Sequence, residues 1–190
     1  MHILINFQNV FKNKKGIKVN KMAKLIIIRG NSGSGKTTIA KKLQKKLGHG
    51  TMLISQDVVR REMLYVKGSK NNKAEDLLLN LVLYGKKHCK VVILEGILYS
   101  KHYNKLFEKL LEEFKDNILA FYFDLPFEET LKRHKTKANA NEFGEKEMRK
   151  WWREKDLIGY IPENILNEKL NEDEIINYIY EKYAEECKYL

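Results

Sequence analysis

Residues 30–37 read Gly-Asn-Ser-Gly-Ser-Gly-Lys-Thr, an unbroken match to G-x-x-x-x-G-K-[ST]. A loop of this pattern closes its backbone N–H groups around the phosphates of a nucleoside triphosphate. Lys36 brings a cation to the outer phosphates, and the Thr37 hydroxyl is suited to Mg²⁺. The expected nucleotide contacts are Gly30, Asn31, Ser32, Gly33, Ser34, Gly35, Lys36, Thr37 and Thr38. Such a loop also dictates its surroundings, because a buried strand must enter it and a helix must leave it. Leu25-Ile26-Ile27-Ile28 is an aliphatic run of the kind buried on both faces of a parallel sheet, and Ile39, Ala40, Leu43 and Leu47 follow at helical spacing. The helix therefore starts at the loop with its positive dipole end toward the phosphates, which separates this segment from a flexible Gly/Ser linker.

Beyond the loop, strand and helix signals alternate, the mark of an α/β fold with a parallel sheet and crossover helices. Thr51–Ser55 reads as a second strand, followed by a short helix through Val58, Val59, Met63 and Leu64. Residues 73–88 read as a helix with Leu77, Leu78, Leu81, Val82 and Tyr84 facing inward. Val91–Leu94 is a third strand, and Tyr103, Leu106, Phe107, Leu110, Leu111 and Phe114 mark one face of the next helix. Ile118–Phe123 is a fourth strand; Pro126, Glu128 and Glu129 then open a helix running toward Arg133. The apolar pattern collapses from about His134 to Gly144, and a Trp-containing helix begins near Glu145, so a lid is expected at about 134–150. A last strand is expected at Ile165-Leu166, and Asn171-Glu172-Asp173-Glu174 resembles a capping box opening the final helix.

The 190 residues suit one domain. Residues 22–190 are expected to form it, with 1–21 a poorly ordered extension or upstream sequence read from an early start codon. The formal charge of +11 favours anionic partners but does not choose between nucleotides and nucleic acid, since the lysines are spread over helices. Two cysteines without a CxxC pair speak against a disulfide scaffold or zinc site and for a cytoplasmic protein. No run reaches the ~18 apolar residues of a membrane span.

In open α/β sheets, functional groups gather at the carboxyl ends of the strands. Asp57, Glu95 and Asp124 stand there. Asp57 is the expected general base, and Arg60 and Arg61, within a helical turn, are placed to clamp an anionic acceptor. Glu95, ending a buried strand, is expected to hold Mg²⁺ with Thr37 or to face the acceptor. Asp124 reads better as a helix cap or ion-pair partner. Arg133 is the first choice for the cation that closes over the transferred phosphoryl group, with Arg149 second among Lys135, Lys137 and Arg153. Trp151-Trp152 reads as core packing on one side, and His134 as incidental.

With these residues in hand, the chain from Leu25 to the last helix resembles the P-loop kinases, the group of adenylate-kinase-like, zeta-toxin-like, chloramphenicol-phosphotransferase-like and polynucleotide-kinase-like enzymes. Ile54-Ser55-Gln56-Asp57-Val58-Val59-Arg60 looks like the polynucleotide-kinase-like arrangement, in which the Asp is the base and the following Arg contacts nucleic acid. The resemblance implies a three-layer α/β/α fold, a sheet of about five strands in 2-3-1-4-5 order and an arginine-bearing lid. The lysines after Arg133 depart from that pattern, and Lys is not equivalent to Arg at a bidentate phosphate site. Glu129–Gly159 also looks like a stretch of small bacterial kinase-like proteins. The expected activity is transfer of the γ-phosphoryl group of ATP, with Mg²⁺, to a hydroxyl of a small molecule: a nucleoside, sugar-nucleotide or antibiotic. The alternatives are a 5′-hydroxyl nucleic-acid end and a nucleotide-hydrolysing switch; the latter has neither an N-K-x-D nor an LSGGQ-like motif in its favour.

Overall fold

The computed structural model describes residues 10–12, 18–20, 23–67, 73–135 and 143–188. Five strands form one parallel sheet: β1 (Lys24–Gly30), β2 (Thr51–Ser55), β3 (Val91–Gly96), β4 (Ile118–Phe123) and β5 (Glu163–Leu166), in the order β2-β3-β1-β4-β5. This is the expected 2-3-1-4-5 order. Parallel neighbours need crossovers, and helices supply them: α1 (Lys36–Leu47), α2 (Ala74–His88), α3 (Asn104–Phe114), α4 (Phe127–Lys135), α5 (Glu145–Trp151) and α6 (Glu172–Lys188).

Alternation along β1 explains its uninterrupted apolar run. Leu25 and Ile27 join one core with Leu78 and Val82 of α2 and Leu106, Phe107 and Leu110 of α3. Ile26 and Ile28 join the other with Ile39 and Leu43 of α1 and Ile175 and Ile179 of α6. Both faces of the strand are covered, which makes the domain a three-layer α/β/α sandwich. Register then places the strand ends side by side: Ile28 lies opposite Glu95 and Phe121, and Ser55 opposite Glu95.

Two details depart from the sequence expectation, and one, the capping box, agrees with it. Tyr84 is 58% exposed and stacks on His88, and Leu111 sits at the solvent edge of α3, because each lies at the margin of its helix's apolar stripe. The short helix after β2 is a π-helical segment, Val58–Met63, in which the Leu64 N–H bonds the carbonyl of Val59, five residues back. The capping box at Asn171 forms, its Oδ1 accepting from the N–H groups of Asp173 and Glu174 while Glu174 accepts from Asn171 N–H.

Of the expected lid, α4 reaches Lys135 and α5 starts at Glu145, with 136–142 outside the described residues. Within the N-terminal segment, Val10–Lys12 pairs antiparallel with Lys18–Asn20; residues 1–9, 13–17 and 21–22 lie outside the described set. Among the described residues no helix is long and apolar enough to cross a membrane.

Candidate active site

The loop between β1 and α1 takes its shape from glycine. Gly30 has φ +141°, and a Cβ there would lie 2.8 Å from the Phe123 carbonyl oxygen. Gly33 has φ +83°, and a Cβ there would lie 2.4 Å from the Thr130 carbonyl oxygen. Both the left-handed backbone and the close packing on β4 and α4 therefore demand glycine. Gly33→Ala is expected to weaken nucleotide binding by about 10-fold or more, since the strain alone costs ~1–3 kcal/mol. Calorimetric titration with ATP checks this, and unchanged affinity would refute it.

Lys36 opens α1 and is nearly buried, its Nζ donating to the Asn31 carbonyl (2.7 Å) and to Ser34 Oγ (3.1 Å). It thus curls over its own loop, where phosphate oxygens can take over those bonds. Thr37 Oγ1 donates to Glu95, 3.2 Å from each carboxylate oxygen, and Glu95 is only 2% exposed. A hydroxyl and a buried carboxylate facing each other beside the phosphate loop are hard oxygen donors. They fit Mg²⁺, which uses one or two carboxylates and completes its shell with water and phosphate oxygens. Among the described residues no group of three or more His, Cys, Asp or Glu is placed to hold a metal ion.

Just past the end of strand β2, Asp57 is half-exposed. Arg60 Nη2 lies 2.9 Å and Arg61 Nε 3.4 Å from its Oδ1. Both contacts fall on one oxygen, so among the described residues Oδ2 is left to accept from a further donor. Arg60 is turned back onto Asp57 and approaches the Val66 carbonyl at 3.5 Å. The helices on either side of residues 136–142 lie next to the phosphate loop. Arg133, on α4, donates through Nε to Glu129 (2.6 Å) and through Nη1 to the Ser34 carbonyl (3.3 Å), reaching the phosphate loop. Its guanidinium holds the Glu129 carboxyl below the usual carboxylate range, so the pair is charged at neutral pH. Arg149 does not reach the loop: it pairs with Glu145 on its own helix and stacks on Phe127, 4.2 Å to the ring centroid. His134 is buried, stacked on Phe143 at 4.4 Å with Nε2 2.8 Å from the Phe143 carbonyl, and Phe143 meets Trp151 at 5.0 Å. The histidine ties α4 to the segment that leads into α5.

Three features escape sequence inspection. Arg29, one residue before the loop, is fully buried. Its Nη1 donates to both Glu163 oxygens (3.0 and 3.1 Å), and its Nη2 to Asp156 Oδ2 (2.6 Å) and the Leu98 carbonyl (3.1 Å). Gln56, beside Asp57, accepts through Oε1 from the N–H groups of Ile97 (3.1 Å) and Leu98 (3.4 Å) and donates through Nε2 to Tyr103 Oη (2.9 Å). These bonds hold Leu98 at φ +44°, a conformation costing a non-glycine residue about 1–3 kcal/mol. Asn31 donates to the Arg153 carbonyl (2.7 Å) and accepts from its N–H (3.0 Å), so the phosphate loop is stitched to the segment after α5. A charged residue inside an apolar strand, as Arg29 is, was the one available sequence signal.

A family model described as AAA domain matches residues 25–156. Several solved structures share the fold. The APS kinase CysC of Mycobacterium tuberculosis, in complex with AMPPNP and APS, aligns with TM-score 0.59 at 19% identity over 84% of this chain and 96% of its own. A gluconokinase from Sinorhizobium meliloti 1021 aligns with TM-score 0.58 at 12% identity over 83% and 89%. The tunicamycin resistance protein of Deinococcus radiodurans aligns with TM-score 0.58 at 14% identity over 85% and 96%. No curated protein matches the chain significantly.

Proposed function

Because this chain belongs to the AAA domain family and has the fold of the P-loop kinases, we propose that it is a cytoplasmic, ATP- and Mg²⁺-dependent kinase that phosphorylates a hydroxyl of a small molecule. The observation that carries this reading is Asp57. Its carboxylate is anchored through Oδ1 by two guanidiniums and offers Oδ2 at the same sheet edge as the phosphate loop. A protein that hydrolysed nucleotide only to switch shape has no use for such an acceptor-side acid.

The chemistry follows from placement. Loop N–H groups and Lys36 hold the outer phosphates of ATP, and the N-terminal end of α1 adds its dipole. Mg²⁺ held through Thr37 and Glu95 would neutralise charge on the β- and γ-phosphate oxygens. Asp57 Oδ2 takes the proton of the acceptor hydroxyl, whose oxygen bonds to the γ-phosphorus as the bond to the ADP oxygen breaks. Arg133 stabilises the charge spread over the γ-phosphoryl oxygens, and Glu129 holds its guanidinium in place.

The test is transfer of labelled γ-phosphate from ATP to nucleosides, sugar-nucleotides, antibiotics and a 5′-hydroxyl oligonucleotide. One small-molecule product is expected, falling by about 10²–10⁴ in rate for Asp57→Ala and lost with Lys36→Ala. Labelling of the oligonucleotide alone would move the acceptor to a nucleic-acid end. Hydrolysis stimulated by a protein, with no phosphorylated product, would replace the kinase by a switch.

A further inference from the structure

Arg29, Arg60, Arg61, Arg133 and Arg149 each meet a carboxylate. Arg153, among the described residues, meets none. Its guanidinium is nevertheless held. Nη1 donates to the carbonyls of Lys150 (3.0 Å) and Trp152 (2.6 Å), and Cζ lies over the Tyr99 ring, 5.2 Å from the centroid. The edge formed by Nε and Nη2 has no partner among the described residues. That edge is the fork which receives a carboxylate, phosphate or sulfate oxygen pair side-on.

The surroundings fix this fork relative to the reacting groups. Asn31 of the phosphate loop clamps the Arg153 backbone in both directions. Tyr99 sits on the loop that follows Glu95, and that loop is pinned on either side of it. Leu98 is held by Gln56 and Arg29, while Ser100 donates through its N–H (2.9 Å) and its hydroxyl to Asp156. On the Arg153 side, Lys155 has φ +43°, and the next residue's N–H bonds the Tyr122 hydroxyl at 3.1 Å. Two strained loops, each fixed by hydrogen bonds, thus hold a solvent-exposed guanidinium, which meets no carboxylate among the described residues, against one ring beside the phosphate loop. Glu154, the next residue in the chain, is exposed and makes no ion pair with Arg153, and Asp156 is committed to Arg29.

We propose that Arg153, oriented by Tyr99, is an acceptor subsite that takes an anionic group side-on, so that the acceptor carries a carboxylate, phosphate or sulfate besides its reacting hydroxyl. This deepens the kinase reading and rests on it for the word acceptor. The same fork could serve the γ-phosphate of ATP, and the two sources make different predictions.

The experiment uses the full chain loaded with AMPPNP and titrated with matched pairs: nucleosides against their monophosphates, and sugars against the corresponding sugar acids. Parallel reactions with labelled ATP follow transfer. The anionic member of one pair is expected to bind ~10–100-fold more tightly than its neutral twin, the range of a charge-assisted bidentate contact. Arg153→Gln is expected to erase that preference, Arg153→Lys to restore part of it, and AMPPNP affinity to stay unchanged in both. Tyr99→Leu, which keeps the charge and removes the ring, should give an intermediate loss. Equal binding of neutral and anionic twins, a preference that survives Arg153→Gln, or a fall in AMPPNP affinity would each overturn the subsite. Anion preference dependent on Arg153 but no transfer to any compound would support the subsite and sink the kinase.

Discussion

Arg133→Ala is expected to lower phosphoryl transfer by ~10³–10⁵-fold, the range measured where an arginine finger is removed, while ATP affinity changes by less than about 10-fold. The asymmetry follows from geometry. Arg133 touches the loop at the Ser34 carbonyl (3.3 Å), beside the cradle, and its Nε is tied to Glu129 (2.6 Å) on the same helix. The ground-state phosphates have the loop N–H groups and Lys36; the charge that develops during transfer is what calls for a further cation. Only an interaction stronger in the transition state raises the chemical rate. Single-turnover rates at saturating ATP, with affinity measured separately, check the split. A transfer loss below 10-fold, or a loss wholly in ATP affinity, would reduce Arg133 to a structural contact. Arg133→Lys should recover part of the rate, since a point charge replaces a planar fork.

Arg29→Met is expected to destabilise the domain by about 3–5 kcal/mol, because removing one partner of a buried ion pair leaves the other charge uncompensated. Two carboxylates are left here: Glu163, whose side chain is 2% exposed, and Asp156, at 12%. The Leu98 carbonyl loses its donor as well. For a chain of this size each kcal/mol shifts Tm by roughly 2–4 °C, so a fall of about 6–20 °C is expected in a calorimetric scan. A second substitution, Glu163→Leu in the Arg29→Met background, should return a large part of the loss. A single variant within about 3 °C of the parent would show that water or relaxation compensates those charges.

The two residues differ in how far they could be read in advance. The position of Arg133 was legible: it falls in the last turn of the helix that follows the fourth strand, just before a stretch where the apolar pattern stops. The placement of Asp57 and Glu95 at strand ends was legible in the same way, as acids at the ends of apolar runs. The pairing of Asp57 with Arg60 and Arg61 follows from three- and four-residue spacing on one helical segment. Arg149 shows the limit of such reasoning. It has the right charge in the right region, yet its helix turns it onto Glu145 and Phe127, away from the phosphate loop.

The sequence by itself determined what short-range pattern can encode: the phosphate loop, whose glycines and lysine act within eight residues; the doubly buried strands, visible as unbroken apolar runs; and the acids that end them. Only the tertiary structure decided which distant groups meet. Arg29 finds Glu163 and Asp156, Gln56 holds Leu98, Thr37 finds Glu95, and Asn31 clamps Arg153, because β3 and β4 flank β1 and so carry their loops to one edge of the sheet. Each of these bonds depends on side chains arriving within about 3 Å from elements far apart in the chain. No local periodicity records that coincidence; it is created when the two apolar cores close and bring the strand ends together.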